Sequence, residues 1–217
     1  MNNPVSALIF DFGGVITRTM FETHDLTEKV LGLNPGSLQW RGPFDPKNDQ
    51  LWQAMQAGQI SEREYWGTRT NEVAKRIGAD WKQMSDFVKA ARGASPAEII
   101  RPDFLKIITK ANTAGIRLAI LSNELDLFYG ADFREKLPFL QYFEVIHDAT
   151  YTKVLKPDPR AYESCLDDLK LAPGQCVFID DQWRNIQGAK NIGLQTIHFD
   201  VTKPAVSYDA VRQFANL

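Results

Sequence analysis

The sequence predicts an α/β fold: a doubly wound, parallel, five-stranded sheet with a helical cap inserted after the first strand. Three observations predict it. Five short apolar runs, bounded by turn residues or charges, read as parallel strands buried on both faces. Amphipathic helical stretches separate the later runs, the alternation expected of strands joined by crossover helices. A span from about Thr17 to about Ala94 breaks that rhythm, with several helical stretches and no convincing strand.

The first strand is read over residues 5–10, and the others over 116–121, 143–147, 176–179 and 195–199. Between the first two lies the insert, with helices expected over 21–31, 49–57, 61–77 and 80–91 and a loop rich in proline and glycine over 35–48. Ser61 with Glu64 reads as a capping box. Four of the five tryptophans, Trp40, Trp52, Trp66 and Trp81, fall in the insert and are expected to form the small core of a helical subdomain. After it, residues 102–114 begin with Pro102, end before Gly115, and place Phe104, Leu105, Ile107, Ile108 and Ala111 on one face. Residues 158–169 place Ala161, Tyr162, Cys165, Leu166 and Leu169 similarly. The expected division is a core of 1–16 plus 95–217 and a cap of 17–94, hanging above the carboxyl end of the first strand. Ligands of such sheets bind at the carboxyl ends of the strands.

Bulk properties remove several function classes. The chain has 217 residues and a formal net charge of -2, with no basic stripe for nucleic acid. Its longest apolar runs fall short of the roughly 20 residues that cross a bilayer. Its N-terminus lacks the charged start and apolar segment of a signal peptide. Cys165 and Cys176 are its only cysteines and have no C-x-x-C spacing, which disfavours a disulfide framework or a zinc site. A soluble, cytoplasmic protein is the expectation, and its oligomeric state is left open.

The chemistry is read at four strand ends. Asp11 closes the first run and is followed by Phe12-Gly13-Gly14-Val15; it is either a turn former or a nucleophile and metal ligand. Ser122-Asn123 closes the second run, as a helix cap or as donors to an anion. Lys156 lies in a segment stiffened by Pro157 and Pro159, suited to a side chain that must hold one direction. Asp180-Asp181 closes the fourth core run, as a cap for the next helix or as a pair of acids at a cation. Carboxylates brought together repel one another and rise in pKa, so such a grouping makes sense mainly around a metal ion.

Taken together and in order, Asp11-Phe12-Gly13-Gly14-Val15, Ser122-Asn123, Lys156-Pro157 and Ile179-Asp180-Asp181, extended by Asn185 and Gly188-Ala189, resemble the four motifs of the haloacid dehalogenase superfamily. The resemblance spans nearly the whole chain, and the insert sits where that superfamily carries a helical cap. It implies that Asp11 is the nucleophile forming an aspartyl-phosphate. It implies that Mg²⁺ is held by Asp11, the Gly13 carbonyl and Asp181, with Asp180 behind them orienting water or Lys156. Ser122, the Asn123 N–H and Lys156 would hold the phosphoryl oxygens, and Lys156 would balance Asp11. The implied substrate is a small phosphorylated metabolite.

One departure matters. Phosphatases of the superfamily carry a second aspartate, a general acid and base worth about 10²–10⁴-fold, where this chain has Gly13. Haloalkanoate dehalogenases lack that acid too, but they characteristically carry Tyr-Gly-Thr after the nucleophile and no acid pair. The expectation is therefore a Mg²⁺-dependent phosphatase whose leaving group has a lowered pKa, for which a sugar phosphate is one candidate. Dehalogenation and a catalytically weak binding role are the alternatives. His24, His147 and His198 read as structural or surface residues. Arg18 and Trp183 are the better candidates for the cleft among Arg18, Trp40, Arg41, Phe44 and Trp183.

Overall fold

The computed structural model describes residues 5–92 and 96–217. Five parallel strands form one sheet: β1 (Ala7–Phe10), β2 (Arg117–Ser122), β3 (Val145–Asp148), β4 (Cys176–Asp180) and β5 (Gln195–His198), in the order β3-β2-β1-β4-β5. Alternation along β1 sends side chains to two separate cores. Leu8 and Phe10 join Phe104, Ile107, Ile108 and Tyr208 on one face, whereas Ala7 and Ile9 join Tyr162, Cys165, Leu166 and Ile186 on the other. Both faces are covered, which is why each strand reads as a continuous apolar run.

The insert supplies helices α1 (His24–Val30), α2 (Gln50–Gln56), α3 (Glu62–Ile77) and α4 (Met84–Arg92). The sheet is wrapped by α5 (Pro102–Thr113), α6 (Leu125–Tyr129), α7 (Ala149–Thr152), α8 (Pro159–Leu169), α9 (Trp183–Asn191) and α10 (Pro204–Ala215). The capping box at the start of α3 is present, with Glu64 N–H donating to Ser61 Oγ at 3.2 Å and Ser61 N–H donating to the Glu64 carboxylate at 2.6 Å. A third core, apart from the two on the sheet, is built from Met20, Phe21, Trp40, Tyr65, Trp66 and Phe87.

Several boundaries move, for local reasons. The first insert helix begins with a single tight turn over Phe21–Thr23, held by a reciprocal pairing of Thr19 and Glu22. The last starts at Met84 rather than 80, because the Asp86 carboxylate accepts the Lys82 and Gln83 N–H groups and holds them in a turn. Two short turns, Gly42–Phe44 and Pro46–Asn48, occupy the expected loop. The third strand starts two residues late and extends to Asp148, whose carboxylate caps α7 through the Thr150 N–H. The expected far boundary of the insert, at 94–95, lies outside the described residues.

The chain leaves the sheet and returns to it at neighbouring points. Thr17 pairs antiparallel with Ile100, Arg18 N–H donates to Ile99 O at 2.7 Å, and Arg101 N–H donates to Ile16 O at 3.0 Å. The buried Arg101 guanidinium ties both connections together. Its Nε donates to Gly14 O at 3.0 Å and Thr17 O at 3.2 Å, while Nη1 and Nη2 hold Glu22 at 2.9 and 2.7 Å. No described helix is long and apolar enough to cross a membrane.

Candidate active site

Strand register sets the floor of the site. Phe10 pairs with Ile120 on one side and Ile179 on the other, so the residues just beyond them meet at one end of the sheet. Asp11 N–H continues the ladder to Ile179 O at 2.8 Å, and the chain then opens into one wide turn, Phe12–Ile16. Gly14 sits in that turn at φ 79°, and a Cβ there would lie 2.8 Å from Asp181 Oδ2. Only glycine fits both the backbone angle and the carboxylate behind it.

Three carboxylates converge. Asp11, Asp180 and Asp181 each offer an oxygen, and these oxygens lie within 4.8 Å of one another. One ammonium faces them: Lys156 Nζ donates to Asp11 Oδ1 at 2.7 Å and to Asp180 Oδ2 at 2.8 Å, and it is almost fully buried. Burial opposes charge on Lys156, yet the two acids outweigh it and hold its pKa above the ordinary lysine value. Burial, reinforced by Asp180, pushes Asp11 up to about 7 against the pull of Lys156. Burial, with Asp180 and Asp11 close by, likewise raises Asp181 well above the ordinary carboxylate range. Among the described residues Lys156 is the one ammonium bonded to these acids, so burial and mutual repulsion both work against their ionisation, and a cation would relieve both. Hard oxygen donors in a half-buried cluster fit a small divalent cation such as Mg²⁺.

The acid pair divides its work. Asp180 is fully buried and saturated: besides Lys156 it accepts the Gln182 N–H at 2.7 Å and Asn185 Nδ2 at 3.1 and 3.0 Å. It thus fixes the turn leading into α9 and aims Lys156; the helix cap is Gln182, with no side-chain cap bond, so the orienting reading holds and the capping one does not. Asp181 instead lines a cavity, and among the described residues its carboxylate meets only the Gln182 side-chain amide, at 3.4 Å. Ser122, at the end of β2, and Asn123 line the same cavity. Neither caps α6, whose first flanking residue is Glu124. Asn123 clamps the lysine segment, accepting the Lys156 N–H at 2.7 Å and donating to Lys156 O at 3.0 Å. Helix α9 packs so close to this segment that a Cβ on Gly188 would lie 2.9 Å from Pro157 O. The two glycines and Asn123 thus serve placement of the charged groups.

A family model for haloacid dehalogenase-like hydrolases matches residues 5–193. The chain belongs to that family. It is 32% identical over 106 residues to mouse (Mus musculus) acyl-CoA dehydrogenase family member 10, covering 48% of this chain but only 10% of that much longer protein. It is 25% identical over 212 residues to a phosphorylated carbohydrates phosphatase of Thermotoga maritima, covering 89% of this chain and 84% of the relative. Among solved structures, an L-2-haloacid dehalogenase superposes with a TM-score of 0.62 at 15% identity, covering 91% of this chain and 87% of that one.

In this hydrolase the cavity holds about 830 Å³ of free space, including the part open to solvent. Asp11, Gly13, Ser122, Asn123, Lys156 and Asp181 line its floor, and Asp180 lies beneath them. Of the rim candidates, Arg18 lines it. Trp183 does not; it is largely exposed and packs edge-on against His198 and under Lys190. Trp40 is buried in the insert core, whereas Phe44 and Arg41 are exposed away from the cavity. The expectation that the insert tryptophans build its core holds, since Trp40 and Trp66 lie in it and Trp52 and Trp81 pack against it; Trp52 and Trp66 also face the cavity. His147 pairs with Asp168 and His198 donates to Asp181 O, whereas His24 is buried with neither ring nitrogen bonded.

Sequence reasoning missed the ion pairs between insert and sheet. Glu62, in the first turn of α3, accepts from Arg184 of α9 at 2.7 Å, and Arg63 meets the buried Glu124 just after β2. Burial raises both Glu62 and Glu124, against the opposing pull of Arg184 and Arg63. Nothing in the sequence pairs residues 62 and 184; only the placement of α3 over the strand ends does.

Proposed function

We propose that this chain is a Mg²⁺-dependent phosphatase acting on a small phosphorylated metabolite through an aspartyl-phosphate at Asp11. The observation that carries it is the convergence of three acids, Asp11, Asp180 and Asp181, on which Lys156 is the one bonded ammonium among the described residues. Mg²⁺ would be held by Asp11, the Gly13 carbonyl and Asp181, and when bound it would offset the charge that keeps a phosphate dianion from the acids. The residues do the rest. Lys156 pulls Asp11 towards its ionised form and, with Ser122 and the Asn123 N–H, would hold the phosphoryl oxygens in line for attack. Asp180 keeps Lys156 aimed. Residues 17–94 act as a cap over a core of 1–16 and 95–217, shielding the aspartyl-phosphate from bulk water.

The phosphatase-named relative supports the reading, and the dehalogenase-named structure supplies the competing one. The acid pair favours the former: without a cation, an ionised Asp181 would repel a carboxylate substrate as well as Asp11. The test is product release from acetyl phosphate and, separately, from a 2-chloro acid, each with Mg²⁺ or chelator. Phosphate release that needs Mg²⁺ is expected. Chloride release indifferent to chelator overturns the proposal, and Mg²⁺ binding with neither product would mark a binding protein.

A further inference from the structure

The roof of the cavity differs in chemistry from its floor. Phe21, Trp52, Trp66, Met84, Phe128 and Tyr129 face it, a wall of aromatic rings and thioether on the side where a leaving group would lie. Trp52, Met84, Phe128 and Tyr129 are only half-buried, so part of their apolar surface is available to a ligand. The charged and hydroxyl side chains that the insert adds to this wall each make a bond within the protein. Arg18 donates to Glu98 O at 2.5 Å, the Thr19 hydroxyl donates to Glu22 at 2.9 Å, and Glu62 holds Arg184 at 2.7 Å. A polyhydroxylated leaving group would bury hydroxyls against rings, at a cost for each bond not remade. A flat apolar group would stack there.

A second observation points the same way independently. Gly13 has ordinary angles, φ -70° and ψ 128°, and open space where a side chain would begin, so no steric demand accounts for the missing acid. A phenolic oxygen has a pKa near 10, as in tyrosine. It therefore departs without a proton donor far more readily than an alkoxide, whose basicity approaches that of hydroxide (water, about 15.7).

We propose that the substrate is an aryl phosphate, its ring stacked against Trp52 and its phosphoryl group on Asp11. This rests on the phosphatase reading above. In the first step a bond forms from the Asp11 carboxylate to phosphorus while the bond from phosphorus to the aryl oxygen breaks. The aryl oxygen keeps the electron pair, leaves as a phenolate and takes its proton from solvent. Water then attacks phosphorus, restoring the Asp11 carboxylate and releasing inorganic phosphate.

The experiment measures Mg²⁺-dependent phosphate release by the full chain from four compounds: 2-naphthyl phosphate, glucose 1-phosphate, glycerol 3-phosphate and acetyl phosphate. Acetyl phosphate has a good leaving group but no ring, so it reports the phosphatase chemistry apart from the wall. The expected kcat/KM for 2-naphthyl phosphate exceeds that for glucose 1-phosphate by about 100-fold, and its KM lies at least about tenfold below that of acetyl phosphate. Trp52→Ala should raise the KM for 2-naphthyl phosphate about tenfold more than that for acetyl phosphate, with Trp52→Phe restoring most of it. Met84→Ala serves if Trp52→Ala does not fold. Gly13→Asp should narrow the preference for 2-naphthyl over glycerol 3-phosphate by about 10²-fold. Equal or better turnover of glucose 1-phosphate overturns the aryl assignment and leaves the phosphatase reading standing. Acetyl phosphate cleaved with a KM equal to that of the naphthyl ester does the same. No phosphate from any of the four overturns both.

Discussion

The insert and the end of the sheet each enclose a carboxylate, and they treat it in opposite ways. Asp49 in the insert is 2% exposed and accepts four protein donors: Gly42 N–H at 3.1 Å, Trp52 N–H at 2.9 Å, Tyr65 Oη at 3.0 Å and Arg69 Nη2 at 2.7 Å. Asp181 has one long contact to an amide and two acids for neighbours. The first is a finished piece of architecture, in which every lone pair answers to the chain. The second is unfinished without something from outside. Burial alone does not mark a functional acid; the donors missing around it do.

The contrast can be broken at several points. The largest effect belongs to Asp11→Asn, which should lower turnover by about 10⁴-fold or more while the protein stays folded, as phosphate release and circular dichroism would report. Residual turnover within tenfold of wild type would remove Asp11 from the chemistry. Next in size, Asp49→Ala should cost about 3–5 kcal/mol in urea unfolding, because Arg69 loses its buried partner and three other donors are orphaned. The variant that stays folded should still respond to Mg²⁺.

A pH effect follows. His24 is 4% exposed, and burial, with Arg41 nearby, lowers its pKa from the ordinary 6.5 to about 4. It folds neutral, so the unfolded chain binds the extra proton between those values. Stability present above about pH 6.5 is therefore lost as pH falls towards 4, by up to about 3 kcal/mol from this group. His24→Phe should flatten that decline; parallel curves for the two proteins would assign the acid sensitivity elsewhere. The smallest change is Asp181→Asn. Relieving repulsion among three acids should leave the metal-free protein as stable as wild type or about 1 kcal/mol more so, while removing most of the Tm increase that Mg²⁺ produces. A large loss of stability without metal would make Asp181 a structural acid like Asp49.

The same contrast explains what was legible in the sequence. Strands buried on both faces announce themselves as apolar runs, and their ends carry Asp11, Ser122 and Asp180-Asp181 at positions that register brings together. The division of labour between Asp180 and Asp181 was not legible, since it depends on which carboxylate points at Lys156 and Asn185. The insert gave up its helices and its Ser61 cap but not its function. Trp40 and Trp52 look alike in sequence and pack in the same core, yet of the two it is Trp52 that also faces the cavity. The Thr19–Glu22 pairing was there to be read, with the spacing of the box at Ser61, but no apolar run of clear period follows it. The α10 helix, opened by Pro204, was equally readable and lies outside any motif.

The paired backbones at Thr17 and Ile100 bring the point of exit from the sheet next to the point of return. Whatever is strung between them is attached like a pendant, and closing a longer or shorter loop across such a short gap changes the entropy only logarithmically with length. Arg101, gripping Gly14, Thr17 and Glu22, steadies the clasp whatever hangs from it. A different pendant could be spliced in at these two residues while the strands beneath kept their alignment, so that taste for a molecule and the means of breaking it are free to change separately.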